Sequence, residues 1–542
     1  MTVKTWIASE LSFISEKTYK NPFEDVDIDV VFTCGDKVLT FPAFWDGGNI
    51  WRVRFSLPTA GTWTYTVKCT DPQNPSLSGA GEIKCIAYDG DLPIYKHGFL
   101  KATPNVRYFT YADGMPFFYL GDTHWTFATE EFCEPGEHAG EIDCDSHFKY
   151  IVDRRYAQGF NVYQSEPIGV PYSLSEGVFE SDLDGFRELD RRFAYLAERG
   201  FVHANAQLLF PSMLIRIKRI DDAEYLRRLG RYWAARYAAY PCLWTLGQEI
   251  DNDFYFERGD QRRITKEDHP YRYIAEGLHA ADAHKQPLTA HMEFYRVELR
   301  DGSFDGTLPS DSSFRNVKGH NFYAYQWSRK LNRPIDTEFA KDGWLNGQGK
   351  VCILYESSYE NLWTKNFGAR SQGWIAYLNG LYGYGYGCID MWFYRSRYDT
   401  HRTTCDGYDT VSLEDKQEPW SRSIEYETAK QLGYMRDFFE ALEWWKLIPR
   451  FDSKNYFIPD GESFYSIATD ERNVLVLYFF NPESYTTGTL QNLDMCEYTY
   501  RWFDPRNGEY LEEISFRPDE KRTCCIEPKP DKNDWVLLVK KK

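Results

Sequence analysis

Between residues 116 and 445 one pattern recurs eight times: a short apolar run that turns polar at its C-terminal end, followed by a longer amphipathic stretch. The runs are PFFYLGDTHW (116–125), FNVYQSEP (160–167), FVHANAQLLF (201–210), CLWTLGQEI (242–250), PLTAHM (287–292), VKGHNFYAY (317–325), KVCILYES (350–357) and GCIDMWFY (387–394). Near-continuous apolarity marks strands buried on both faces, as in parallel sheets, where crossover helices cover the sheet. The stretches between them, such as SHFKYIVDRRYAQG and DGFRELDRRFAYLAERG, carry helical periodicity and stop at Gly159 and Gly200, the residue type that ends helices in the left-handed conformation. Eight such units predict an α/β fold, a (β/α)8 TIM barrel. A doubly wound sheet is the alternative, but no strand is followed by a glycine-rich phosphate loop.

The flanks change period. Residues 1–90 alternate in DVDIDVVFTC, NIWRVRFSLP and GTWTYTVKCT between turn clusters, and residues 449–542 do so again in NVLVLYFFNP, EYTYRWFDPRNGEY and DWVLLVKK. This predicts an N-terminal Ig-like β-sandwich (1–90), the barrel (91–448) and a C-terminal β-sandwich (449–542).

A net charge of −18 without a basic block argues against nucleic acid and anionic membranes as partners. The longest apolar run, VLVLYFF at 474–480, is too short to span a bilayer. The N-terminus has no apolar signal-peptide core, and twelve cysteines without CxxC spacing fit a reduced, cytoplasmic setting. Homo-oligomerisation is left open. Aromatic residues make up 17% of the chain, enough to furnish both cores and surfaces on which sugar rings stack.

In a barrel the strand C-termini line the face that carries the active site. Here they offer Asp122, His124 and Trp125 (strand one), Gln164 and Glu166 (two), Asn205 and Gln207 (three), and Gln248 and Glu249 (four). Further round come His291 and Glu293 (five), His320, Asn321 and Tyr323 (six), Glu356 (seven), and Asp390, Trp392 and Tyr394 (eight). A pocket rich in carboxylates and aromatics and lacking lysine and arginine favours neutral, polyhydroxylated ligands. Asp122, His124, Trp125, Gln164, Asn205, Gln248, His291, Asn321, Tyr323 and Trp392 are the expected substrate contacts. Glu166 and Glu293 read as rim charges, and Asp390 as a structural carboxylate. Glu249 and Glu356, three βα units apart, face each other across the mouth. Two such acids are what glycosidic bond cleavage requires: one to protonate the leaving oxygen, one to attack or stabilise the anomeric carbon. No cofactor is called for.

The motifs add a resemblance. HGFLKATPNVRYFTYADGMPFFYLGDTHW is similar to the opening of the apiosidase-like glycoside hydrolases (family 140 and relatives), whose first strand ends in GDTxW. AGTWTYTV resembles their N-terminal accessory domain and YRWFDPRNGEY their C-terminal β-domain. GFNVYQ, VCILYESSYE and GLYGYGYGCIDMWFY match strands two, seven and eight of that barrel. The resemblance implies a retaining enzyme acting on an oligosaccharide or glycoside, with Glu249 as acid/base and Glu356 as nucleophile. Strand four departs from the family pattern: Gln248–Glu249 stands where Gly-Asp is usual and resembles the Asn-Glu pair of the wider clan, in which the amide grips the 2-hydroxyl. The departure implies a different sugar or linkage. Tyr323, in HNFY, resembles that clan's strand-six tyrosine, which hydrogen-bonds the nucleophile.

Two alternatives stand beside this reading. A metal-dependent barrel hydrolase would use His124, His203, His291, His320 and Asp390. A non-catalytic carbohydrate-binding protein would keep the barrel without the chemistry.

Overall fold

The computed structural model describes residues 1–125, 146–166, 174–205, 217–247, 269–293, 296–298, 304–306, 312, 314–326, 337–361, 366–392, 420–480 and 485–542. Eight parallel strands run Leu120–Thr123, Val162–Ser165, Val202–Asn205, Cys242–Thr245, Leu288–Thr289 continued as His291–Glu293, Phe322–Gln326, Val351–Glu356 and Tyr384–Tyr386. Each pairs with its sequence neighbour, and the eighth pairs with the first. Strand five is interrupted at Ala290: its first piece pairs with strand four, its second with strand six, and the ring closes through it. This is the expected barrel.

Side chains alternate in and out along each strand. Tyr119, Val162, Val202, Ala204, Leu243, Phe322, Ala324, Val351, Ile353 and Tyr355 share the interior core. Tyr163, Trp244, Leu288, Tyr323, Tyr325, Cys352, Leu354, Tyr384 and Tyr386 pack into the helix layer.

Strand eight is displaced from its expected place at 387–394. The strand is Tyr384–Tyr386, and Ile389–Trp392 is a helical turn. Periodicity missed it because glycine occupies the inward positions. A Cβ on Gly383 would meet Ile353, one on Gly385 would lie 1.9 Å from the Tyr355 carbonyl oxygen and 2.5 Å from Gln164, and one on Gly387 would lie 2.6 Å from the Tyr359 ring. Side chains from other strands fill that side of the interior, so strand eight has only its outward tyrosines to show.

Helices follow seven of the strands among the described residues: His147–Ala157, Leu183–Glu198, Ala223–Tyr237, Tyr271–Ala281, Glu338–Asn346, Asn366–Leu378 and Glu427–Glu440. Ser146 and Asp222 cap two of them by accepting from the Lys149 and Tyr225 amides. Gly159 and Gly200 take φ of +93° and +77° just past their helices, as their positions predict. After strand five the described residues form instead an antiparallel pair, Arg296–Glu298 with Phe304–Gly306. No described helix is long and apolar enough to cross a membrane.

Both flanks are β structures. At the N-terminus a five-stranded and a three-stranded sheet span Thr2–Ile86. They dock on the barrel through buried ion pairs, Arg54 to Asp190 at 3.1 Å and Asp46 to Arg236 at 3.4 Å, and Asp190 and Arg236 themselves pair at 2.5 Å between two barrel helices. At the C-terminus two sheets span Ile448–Lys541, joined to the helix Asn366–Leu378 by Arg370, which pairs with Asp534 at 2.6 Å.

Candidate active site

Glu356 ends strand seven, and alternation alone would turn it outward: Ile353 and Tyr355 are interior, Leu354 lies between them in the helix layer. A bulge changes this. Strand six pairs Tyr325 with Leu354 but Gln326 with Glu356, so Tyr355 is the extra residue and Glu356 falls on the same face as Gln326, inside the mouth. Bulges commonly re-aim a side chain beside an active site. The acid that closes this apolar run is thus a mouth residue, 2% exposed.

Burying a carboxylate is costly unless polar groups hold it. The Tyr359 hydroxyl donates to Glu356 Oε1 at 2.5 Å, and His291 Nε2 stands 3.2 Å from Oε2. Trp125 Nε1 donates to the Tyr359 hydroxyl, also at 2.5 Å, and the indole stacks on the His291 ring at 5.9 Å and 23°. Tyr355 lies edge-on to His291 at 4.9 Å. Burial pushes the Tyr355 phenol well up, opposed by a hydrogen bond with Thr245 and reinforced by the charges of Glu166 and Glu356. Burial likewise brings His291 down to about 3, so it meets Glu356 as a neutral imidazole. Glu166, expected as a rim charge, is fully buried at the end of strand two.

The structure thus brings together Trp125, His291 and Glu356 of the expected set and adds Tyr359, Tyr355, Gln326 and Glu166. Tyr359 lies past the strand, where no periodicity points to it. Its segment is pinned nonetheless: the Ser357 hydroxyl donates to the Gly385 carbonyl, Gln372 accepts from the Ser358 amide, and Glu360 exchanges backbone hydrogen bonds with Gly387 and Ile389.

Six expected contacts lie elsewhere. Asp122 points outward and pairs with Arg155 of the first barrel helix at 3.1 Å, both fully buried. His124 also lies on the outer side, against Tyr163, and its pKa is held well below the ordinary value by burial and by the cations of Arg192 and Arg155. Asn205 accepts from the Trp233 indole on the outer face. Gln164 is inside, below the mouth, where it accepts from the Tyr119 hydroxyl at 2.8 Å and donates to the Tyr355 carbonyl at 2.6 Å. It fills the space that Gly121 and Gly385 leave. Asn321 sits at the start of strand six, its amide oxygen accepting from the Leu288 amide at the opposite end of the barrel. Tyr323 faces the helix layer, stacked on Tyr325, so the tyrosine that reaches Glu356 is Tyr359 and not the strand-six residue.

Gln248 and Glu249 lie outside the described residues, directly after Gly247 at the end of strand four. Trp392 ends the helical turn Ile389–Trp392, and its side chain is outside the described set. The residues of the metal alternative are dispersed. His203 is outward on Ser165, His320 lies 3.1 Å from Lys350 at the start of strand six, and Asp390 accepts from Asn361 and Ser423. Among the described residues no group of three or more His, Cys, Asp or Glu side chains could hold a metal ion.

Comparison with known proteins agrees with this geometry. The apiosidase-like catalytic domain matches residues 103–446, a domain of unknown function (DUF5060) matches 2–70, and a putative collagen-binding domain of a collagenase matches 460–540. No curated protein matches. Among solved structures, a putative glycoside hydrolase from Bacteroides vulgatus superposes with a TM-score of 0.70 at 16% identity, covering 100% of both chains. A family 5 glycoside hydrolase from the same organism gives 0.62 at 15% identity, over 83% of this chain and 95% of its own. These likenesses show the shared fold. With more than half its length matched by that catalytic domain, the chain belongs to the apiosidase-like family and is a glycoside hydrolase.

Proposed function

We propose that the protein is a retaining, exo-acting hydrolase of a plant-type oligosaccharide or glycoside, with Glu356 as nucleophile and Glu249 as acid/base. The observation that carries this reading is the bulge at Tyr355, which turns Glu356 into the barrel mouth between Tyr359 and His291. A carboxylate that accepts from a fixed phenol stays ionised and aimed, which is what attack on an anomeric carbon demands.

In the first step a Glu356 oxygen bonds to the anomeric carbon as the glycosidic C–O bond breaks, and the leaving oxygen takes a proton from Glu249. In the second, water attacks the same carbon and gives its proton to Glu249 while the ester to Glu356 breaks. Two inversions yield net retention. In this reading Gln248 grips the 2-hydroxyl and Trp392 covers the sugar.

The test is a panel of aryl glycosides and plant oligosaccharides given to the purified enzyme, with the first-formed product read by NMR before mutarotation. Retained configuration is expected, and full activity with EDTA. An inverted product would make Glu356 a general base.

A further inference from the structure

The GDTHW motif ends strand one, yet its Asp122 and His124 face the helices. Only its tryptophan reaches the mouth, and there it touches both Tyr359, which donates to Glu356, and His291, which stands beside it. The indole N–H can only donate, so the Tyr359 oxygen accepts from it at 2.5 Å, and the Tyr359 proton goes on to Glu356 Oε1, also at 2.5 Å. The chain of donors therefore has one polarity, from indole to phenol to carboxylate. The face of the same indole stacks on His291, whose Nε2 faces Oε2 at 3.2 Å. Space for the phenol ring is reserved in strand eight, where a Cβ on Gly387 would meet the Tyr359 ring at 2.6 Å.

We infer that Trp125 and Tyr359 are a one-way positioning relay for the nucleophile: the relay engages Glu356 Oε1 as an acceptor and so fixes the aim of the carboxylate into the barrel mouth. This rests on Glu356 being the nucleophile. The motif at the end of strand one then serves the carboxylate of strand seven and not the sugar. Trp125 and Tyr359 are positioning residues that act through Glu356. Hydrogen bonds to a carboxylate favour its charged form and act cooperatively along a chain.

The experiment compares kcat/KM against pH for wild type, Tyr359→Phe, Trp125→Phe and the double variant on the fastest aryl glycoside of the panel, with Glu356→Gln as reference. Tyr359→Phe, nearly isosteric, should lower kcat roughly 10–100-fold and move the acidic limb about one unit to higher pH. Trp125→Phe should shift the limb the same way by less, and its effect should vanish in the Tyr359→Phe background, since both act through one hydrogen bond. An unmoved acidic limb in Tyr359→Phe, with Glu356→Gln inactive, overturns the relay and leaves the nucleophile in place. That variant decides the matter even if Trp125→Phe does not fold. Independent, multiplicative losses in the double variant also overturn it. Activity retained by Glu356→Gln would remove the nucleophile and the relay together.

Discussion

Asp122 and Glu356 look alike in the sequence: each is an acid closing an apolar barrel strand. The structure gives them opposite lives. Asp122 follows the strict alternation of its strand, points into the helix layer and pairs with Arg155, whose guanidinium also donates to Gln158 and the Ile424 carbonyl. Glu356 occupies the same outward parity, but the extra residue at Tyr355 rotates it into the mouth, where it meets two polar aromatic rings and no described cation. A buried carboxylate with a guanidinium is a fastening. One held by a phenol beside a neutral imidazole keeps its charge available to a ligand. A single inserted residue separates the two outcomes.

The comparison breaks most visibly in activity. Glu356→Gln should lower kcat roughly a thousandfold or more while the melting temperature stays put, because volume is kept and the reacting oxygen is lost. Asp122→Asn should do the reverse. It leaves the Arg155 charge buried without its counter-ion, costing about 3 kcal/mol of stability in a denaturant titration, with turnover per folded molecule near wild type. A dead but stable Asp122→Asn would return that carboxylate to the site. Adding Arg155→Met should recover much of the lost stability.

Gly387→Ala sharpens the contrast from the neighbouring strand. Its Cβ would lie 2.6 Å from the Tyr359 ring and 2.7 Å from Thr123 Oγ1, so the phenol must shift. Overpacking of this kind costs about 1–3 kcal/mol, and kcat should fall about tenfold as Glu356 loses its donor. Thermal melting and turnover on the same sample check both.

The smallest effect concerns two histidines, one outward and one inward. Burial lowers both His203 and His291 from the ordinary 6.5 to about 3. The unfolded chain therefore binds protons at each that the folded protein refuses. Stability should be fully present above pH 6.5 and decline as pH falls from 6.5 toward 3, by about 1 kcal/mol per pH unit for each histidine. His203→Gln should flatten the slope of stability against pH and leave turnover alone. His291→Gln should flatten it equally and also reduce kcat. Equal activity in the two would erase the distinction between the faces.

The eight apolar runs, the helix stops at Gly159 and Gly200 and the period-two flanks already specify the architecture, since repeated alternation of buried strand and amphipathic helix has few ways to pack. The acid at the end of strand seven was visible too, because a carboxylate closing VCILY is dear to bury without a purpose. What strand-end position could not supply was facing. Asp122, His124, Asn205 and Tyr323 are all near strand ends and all turn away, because side chains alternate every residue and a strand's phase depends on its neighbours. Asn321 lies at the opposite end because strand six begins only at Phe322, just after it, and not at residue 317.

Sequence alone determined the number of strands, the β character of both flanks and the presence of acids at strands four and seven, all set by local hydrophobic period. Tertiary structure alone decided which of those side chains meet. The bulge that turns Glu356 inward exists only in the pairing of strands six and seven, and Tyr359 reaches it only because strand eight presents glycine where the phenol must pass. Register and void are properties of strands packed together, and no single strand encodes them.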